Sequence, residues 1–348
     1  MQPRTDMPTP ADASRPLVSL LLACHDQQDV VEQAVRSALQ QTYSPLEILI
    51  SDDASTDRTY TRIEAAVRGY DGPHQVHLRR NARNEGISAH FSRLAQLARG
   101  ELLFVAAADD ISEPHRCAAV VAHWLALGRQ PDLIATDLLD IDADNRVHGR
   151  IVHTTLDGFT LERWCQAQPW LVGASHVWSK RLFARFGPMQ PGAHAEDQIM
   201  LLRAVLANGA STLHEPLVRW RRGGLSSKRR PANLAALRAR MRAGNLASLI
   251  ALQQHLADAR HADCFGPVAA ALRPRLARAH YTEAVLGAHS NRRRLLAFWD
   301  SRDVALGYRL RLLGYTILPW LYDPFIRLKA SIGMSRHADA AGRPAQTS

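Results

Sequence analysis

The sequence predicts an α/β fold: an open, mainly parallel sheet with helices on both faces, followed by a helical C-terminal extension. Three observations predict it. Short apolar runs alternate with segments of helical spacing up to about residue 136, the pattern of successive βαβ units. Two of those runs, at 46–50 and 102–106, lead into the acidic pairs Asp52-Asp53 and Asp109-Asp110, and ligands of open α/β sheets bind just beyond the carboxyl ends of strands. From Pro231 onward the chain is rich in Ala, Leu and Arg and reads as helical throughout.

The elements follow in order. Val18-Ser-Leu-Leu-Leu-Ala23 is an apolar strand. Residues 29–40 set Val30, Val31, Ala34, Val35, Ala38 and Leu39 at helical spacing. A second strand spans 47–51. Thr56 and Asp57 are cap candidates for a helix running to 67. A short strand at 75–78, a helix at 87–98 and a strand at 101–106 come next. Ser112-Glu113-Pro114 predicts a helix start, with Ser at the cap and Pro in the first turn; that helix runs to 127, and 132–136 is a further strand. After Asp137 the alternation stops. Residues 140–150 read as a polar loop or hairpin, short helices fall at 161–166 and 180–186, and a helix at 197–207 is closed by Asn208-Gly209.

Composition bounds the function. The 348 residues are 46% apolar and 22% charged, ordinary for a globular chain. The four cysteines lack metal-ligand or redox spacing and read as reduced thiols of a cytosolic protein. The first sixteen residues lack the apolar core of a signal peptide, and no run is long enough to span a bilayer. Expected segments are a disordered lead-in at 1–15, a catalytic domain at 16–227, a basic helical extension at 228–330 and a disordered tail at 331–348. The net charge of +10 sits in that extension: between Lys228 and Arg311 sixteen Lys and Arg face five acids, so an anionic partner is expected there. No nucleic-acid motif accompanies the arginines. No Gly-x-Gly-x-x-Gly follows the first strand, which excludes a dinucleotide-dependent oxidoreductase.

The acids suggest chemistry. A carboxylate in the loop Ser51–Asp57 can accept the imide N–H of a uracil or thymine ring. Two carboxylates side by side, as at Asp109-Asp110, repel unless a cation lies between them, and Mg²⁺ or Mn²⁺ held by one or two carboxylates can carry a diphosphate. The plainer alternative is an acidic cluster favoured by a helix dipole. Glu196-Asp197 opens a helix; it is either dipole-stabilised or a general base that deprotonates an acceptor hydroxyl.

These pieces stand in an order and spacing that resemble the family 2 glycosyltransferases of the GT-A fold, a Rossmann-like architecture. The resemblance rests on the strand opening at Pro16, on the block from Ser37 through Gln41-Thr-Tyr-Ser-Pro and Asp52-Asp-Ala-Ser-Thr-Asp57 to Thr59, on Asn84-Glu-Gly86, and on Ala98-Arg-Gly100 through Asp110. It covers roughly residues 16–227. It implies an inverting transfer of a sugar from a UDP- or dTDP-sugar to an acceptor hydroxyl, of the kind found in bacterial surface-polysaccharide assembly, with a divalent metal, Mn²⁺ or Mg²⁺. By position, Asp53 resembles the residue that reads the base, Ala23 the second base contact through its backbone, Asp109 the ribose or diphosphate contact and Asp110 the metal ligand. Asp197 matches the catalytic base, with Glu196 the second choice. Asn84, Arg221 and Arg222 join the donor-binding set.

The chain departs from the family pattern at three places. Ala23-Cys24-His25-Asp26 replaces Pro, a small residue, Tyr and Asn; Ala107 replaces a frequent aspartate; Phe91-Ser92 replaces Arg-Asn. A non-catalytic nucleotide-sugar-binding or scaffolding protein of the same fold is therefore the alternative. At 312–326 an apolar stretch carries Tyr315, Trp320 and Tyr322 and is flanked by Arg309, Arg311, Arg327 and Lys329. It reads either as a peripheral contact with anionic membrane or as a segment packed on the protein. The membrane reading agrees with a lipid-linked acceptor.

Overall fold

A computed structural model describes residues 15–222 and 231–329. The expected lead-in, apart from Arg15, and the expected tail lie outside the described residues, as do 223–227 at the end of the expected domain.

β1 (Val18–Cys24) and β2 (Leu46–Asp52) are buried at every position. Strands covered on both faces need unbroken apolar runs, which is why both are legible. Helix α1 (Val31–Leu39) connects them, α2 (Thr59–Val67) leads to β3 (Gln75–Arg80), and α3 (Ile87–Leu97) leads to β4 (Leu102–Ala107). These four strands pair in the order β3-β2-β1-β4, all parallel. Cys24 lies opposite Asp52 and Ala23 opposite Ala107. The carboxyl ends of three strands are thus level, and the acidic loops that follow them open on one edge. Leu20, Leu22, Ile48, Ile50 and Phe104 form the core beneath that edge with Val31, Val35 and Ile63. Each fully buried aliphatic side chain there contributes roughly 2 kcal/mol.

Beyond β4 the sheet is mixed rather than mainly parallel. The chain continues through β5 (Ile111–Ser112), α4 (Arg116–Ala126), β6 (Leu133–Ile141), β7 (Val147–Ile151), α5 (Leu161–Gln166), β8 (Val177–Ser179), α6 (Lys180–Phe186), α7 (Glu196–Val205) and β9 (Ala210–Arg221). β8 runs antiparallel between β4 and β6, β7 antiparallel to β6, and β5 antiparallel to β9, while β6 and β9 are parallel. Three of these strands, β5, β8 and β9, are absent from the sequence reading for physical reasons. β8 is three residues long, too short to show a period. β9 carries Pro216 and half-buried polar residues, and its register with β6 shifts on either side of Asp137; proline within a sheet is accommodated at such bulges. Ser112 is not a helix cap. It pairs with Val218 in the β5–β9 ladder, and α4 begins at Arg116 without a side-chain cap.

Contacts divide the chain near residue 224, and Gln254–Pro267 belongs with the first unit rather than with the extension. The reason is a buried ion pair. Arg203 on α7 has no exposure and donates to both oxygens of Asp258, at 2.7 and 3.2 Å, near the end of α8 (Leu234–His261). Gln254 bonds Asp258 and accepts the Gln190 amide. The second unit is helical: the earlier part of α8, most of α9 (Phe265–Leu286), α10 (Asn291–Asp300), α11 (Leu306–Ile317) and a helix over 319–329. Its core is Tyr281, Val285, Leu286, Phe298, Val304 and Leu312. Among the described residues no helix is long and apolar enough to cross a membrane.

Gly100, in the turn before β4, lies flat on β1. A Cβ there would stand 2.5 Å from Ser19 N and from Val18 C, and its N–H donates to Ser19 Oγ at 2.8 Å. Gly100→Ala is expected to cost about 1–3 kcal/mol of stability by overpacking against backbone, read as a lower urea midpoint. An unchanged midpoint would mean that β1 yields without cost.

Candidate functional site

Asp53 follows β2 and is nearly fully buried. Its Oδ1 accepts from Asn81 Nδ2 at 2.6 Å and Glu85 N at 2.9 Å, its Oδ2 accepts from Gly86 N at 2.9 Å, and its own N–H donates to Cys24 O at 2.8 Å. One carboxylate therefore fixes the loop 81–86 against the ends of β1 and β2. Asn84 lies in that loop: its Oδ1 accepts from Gly86 N, and its amide bonds His25 Nε2 at 2.9 Å, while His25 Nδ1 bonds Asp53 O at 3.0 Å. An Nδ1–H tautomer satisfies both histidine contacts. Ala23 O accepts the Ala108 amide at 3.1 Å, so β1 is tied to both acidic loops through its last two residues. Asp52 turns inward instead, to Ser55 N and Arg80.

Asp109 and Asp110 sit past the end of β4. Burial raises the pKa of Asp109 against its own backbone N–H, the Gln27 amide and the charge of Arg221. Asp110 is pushed well above the usual carboxylate range by burial and by the charge of Asp109; the Arg221 amide and the charges of Arg116 and Arg221 oppose this. Arg221, the last residue of β9, is the clamp. Its N–H donates to Asp110 Oδ1 at 2.9 Å and its Nε to Asp109 O at 3.0 Å. Its Nη1 donates to the carbonyls of Asp142 and Ala143, and its Nη2 to Gln33 Oε1 and Asn145 Oδ1. These acceptors engage every N–H of the guanidinium. Behind Asp110 lies Arg116, with no exposure, donating to Val105 O at 2.9 Å, Ala174 O at 3.0 Å and Ser112 Oγ at 3.0 Å.

Two adjacent carboxylates, both held toward protonation by burial and one further by its neighbour's charge, fit a cation that restores their ionised form. No group of three or more His, Cys, Asp or Glu side chains gathers into a metal site among the described residues. Asp110, with Asp109 beside it, would supply the protein donors, and phosphate oxygens and water would complete the shell.

Glu196 and Asp197 begin α7, directly after Ala195, whose φ of 66° is left-handed. That backbone turn directs the chain into the helix, and Asp197 Oδ1 accepts from Gln198 N at 2.7 Å. Burial raises the Asp197 pKa against backbone hydrogen bonds, and burial followed by the charge of Asp197 raises Glu196 to about 7. The 3-10 turn Gly173–Ser175 backs the pair: a Cβ on Gly173 would stand 3.0 Å from Glu196 Oε1 and 3.4 Å from Asp197 Cβ. The next residue of that turn, Ala174, accepts from Arg116, which links the α7 acids to the β4 end.

Ala23, Asp53 and Asn84 thus form one cluster, and Asp109, Asp110 and Arg221 a second that touches β1 through Ala23. Arg222 stands apart, half-exposed and paired with Asp140. Sequence reasoning passed over His25, Gln27, Gln33, Asn145 and above all Arg116. His176 is a core residue, its pKa lowered to about 3 by burial and by the charges of His153 and Arg116. Trp178 is also core, edge-on to Phe91.

Residues 19–159 match the model of the family described as glycosyl transferase family 2. The succinoglycan biosynthesis protein ExoO of Rhizobium meliloti is 30% identical over 199 residues, 53% of this chain and 49% of that one. The UDP-Glc:alpha-D-GlcNAc-diphosphoundecaprenol beta-1,3-glucosyltransferase WfaP of Escherichia coli is 48% identical over 44 residues, 13% of this chain and 18% of that one. The chain spans about half, or less, of the length of the curated relatives it matches. In fold it is similar to S. aureus TarS 1–349 in complex with UDP, with a TM-score of 0.52 at 15% identity, covering 86% of this chain and 90% of that one. Sheet order, the placement of the acids and the family match agree: over residues 19–159 the chain carries a glycosyl transferase family 2 domain.

Proposed function

We propose that this chain transfers a sugar from a UDP- or dTDP-sugar to a hydroxyl of a lipid-linked or oligosaccharide acceptor, with inversion, in the assembly of a cell-surface polysaccharide such as O-antigen, capsule or exopolysaccharide. The observation that carries the reading is the level edge of β1, β2 and β4, where two acidic loops meet, with a half-buried third pair linked to them through Arg116. Asp53 reads the base, with Ala23 contributing a carbonyl that keeps one lone pair and Asn84 closing that side. Asp109 faces the ribose and diphosphate. Arg221 positions both acids, and Arg222, next to it in sequence, would meet the departing phosphates.

The step balances on Asp197. The acceptor oxygen attacks the anomeric carbon, the bond from that carbon to the phosphate oxygen breaks, and the nucleoside diphosphate leaves with the electron pair. The acceptor's proton passes to the Asp197 carboxylate. A Mn²⁺ or Mg²⁺ ion at Asp110 would offset the charge that develops on the leaving group. The names borne by ExoO and WfaP support the polysaccharide setting, and the latter supports a diphospholipid acceptor, which would bring the chain to the inner face of the cell membrane.

Asp110→Ala is expected to lower Mn²⁺-dependent donor hydrolysis about 100-fold or more; unchanged turnover would remove the metal assignment. Asp197→Asn should keep donor affinity while transfer drops by about 10²- to 10⁴-fold, the usual worth of a general base. Nucleotide binding with no turnover of any donor in the wild-type chain would favour the non-catalytic alternative.

The pH profile separates the two acids of α7. A base must be ionised, so transfer falls as pH drops through its pKa. If Asp197 is the base, the acid limb persists in Glu196→Gln. A limb near 7 that is lost together with activity in Glu196→Gln would move the base to Glu196. Asp53→Ala, in turn, frees the N–H groups of Glu85 and Gly86 and should speed their amide exchange about tenfold or more while abolishing nucleotide binding. Slow exchange with binding intact would leave the loop, not Asp53, as the base-recognition element.

A further inference from the structure

The helical unit leaves an unusual amount of apolar surface uncovered. Of the eighteen exposed large apolar side chains among the described residues, ten fall between Leu295 and Leu328. They follow the helical period. In the helix over 319–329, Trp320, Leu321, Pro324, Phe325 and Leu328 are all exposed. At about 100° per residue they occupy one continuous arc of about 140°. Trp320 is 71% and Phe325 55% exposed. The opposite face packs inward: the Tyr322 ring meets Tyr315 of α11 at 5.1 Å, and Asp323 accepts the Leu234 amide at 2.8 Å. Arg327 and Lys329 border the apolar arc on its two sides. α10 repeats the pattern, with Leu295, Leu296 and Trp299 exposed beside Arg292 and Arg293, and α11 adds Leu306 and Leu310 beside Arg311. From residue 291 to 329 eight Lys and Arg face three acids.

We infer that these exposed helix faces, centred on Trp320 and Phe325, dock the second unit on an anionic bilayer surface. The inference rests on the proposed lipid-linked acceptor only for its biological sense; its physical support is independent of it. Surface helices with an apolar face edged by Arg and Lys lie in the headgroup region with the apolar side chains below it. The excess of cations gives the charge complementarity that selects anionic lipid over a neutral surface, at roughly fivefold in partitioning per cation engaged. The contact is centred within the stretch 312–326 expected from sequence, at Trp320 and Phe325, uses only part of that stretch and extends beyond it. Leu312 and Thr316 of that stretch are buried, Tyr315 packs on Tyr322, and α10, upstream of it, supplies further exposed apolar side chains.

The test is sedimentation of the full chain with vesicles of phosphatidylcholine alone or mixed with phosphatidylglycerol, without donor or acceptor. Wild type is expected to partition at least tenfold better onto the anionic vesicles and to lose that binding in high salt. Trp320→Asp/Phe325→Asp should reduce partitioning at least tenfold with an unchanged melting curve and unchanged donor hydrolysis. Arg292→Gln/Arg293→Gln should weaken binding to anionic vesicles only. Equal sedimentation of wild type and the Trp320/Phe325 variant would overturn the inference. So would a dimer in solution that the same substitutions dissociate, since a second copy would then be the occupant. Because vesicle binding is read without turnover, its failure would leave the glycosyltransferase reading standing, and loss of turnover would leave the docking surface standing.

Discussion

Arg116 is the interaction on which the rest of the site depends. A guanidinium without exposure is costly, since taking an ion out of water forfeits several kcal/mol that only good geometry restores. Burial draws its pKa down to about 10, with Cys117 and Asp110 acting the other way, so it remains charged at neutral pH. It is sustained by the Val105 and Ala174 carbonyls, the Ser112 hydroxyl, the Phe104 ring 5.8 Å away and the nearby charge of Asp110. Those acceptors belong to β4, to the 3-10 turn behind Glu196-Asp197, and to β5. One ion therefore fixes the strand that delivers Asp109-Asp110, the turn that backs the α7 acids, and the short strand that pairs with β9 and so orients Arg221.

The acidic pairs differ in environment, and that difference assigns their work. Asp53 is held by three N–H donors from the loop it fixes and keeps one acceptor site open, a rigid acceptor suited to reading a fixed hydrogen-bond pattern. Asp110 lies between two arginines yet is still pushed toward its neutral form, because burial and Asp109 outweigh them; an added cation would restore the charge of such a pair. Glu196 and Asp197 are half-buried against Gly173, and their pKa values rise without a partner cation among the causes. A carboxylate raised toward neutrality is a better proton acceptor than an ordinary one.

Much of this was legible because parallel strands in an α/β core must be continuously apolar, so the points where Leu46–Asp52 and Leu102–Ala107 give way to acids mark strand ends directly. The placement of Asp53, Asp109 and Asp110 followed from that, while Asp197 was found at a helix start. What could not be read was the wiring. Arg221 reaches Gln33 across 188 positions and Asp110 across 111, and Arg116 reaches Ala174 across 58. No local period encodes such contacts. Arg116 also sits at a helix start where a basic residue reads as ordinary solvent-facing charge, and β9 conceals its ladder behind Pro216.

The departures from the family pattern bear on whether the site still works. Ala107 lies opposite Ala23 in the β1–β4 ladder and removes a carboxylate without disturbing Asp109 or Asp110. Phe91 is buried edge-on to Trp178, and Ser92 Oγ donates to Ser88 O while accepting the Met189 amide. This pair has become a packing joint on the side of α3 that carries no acid. Cys24 is buried at the strand end, and His25 takes a new task by joining the Asp53 carbonyl to Asn84. Each change is absorbed locally, and His25 also keeps two neighbouring candidate site residues in place. A chain that had lost its chemistry would have no reason to hold Asp53 with three donors or to spend a buried guanidinium behind Asp110. On the proposed reading the altered loops bear on donor choice, through the wall at His25 and Asn84, rather than against transfer.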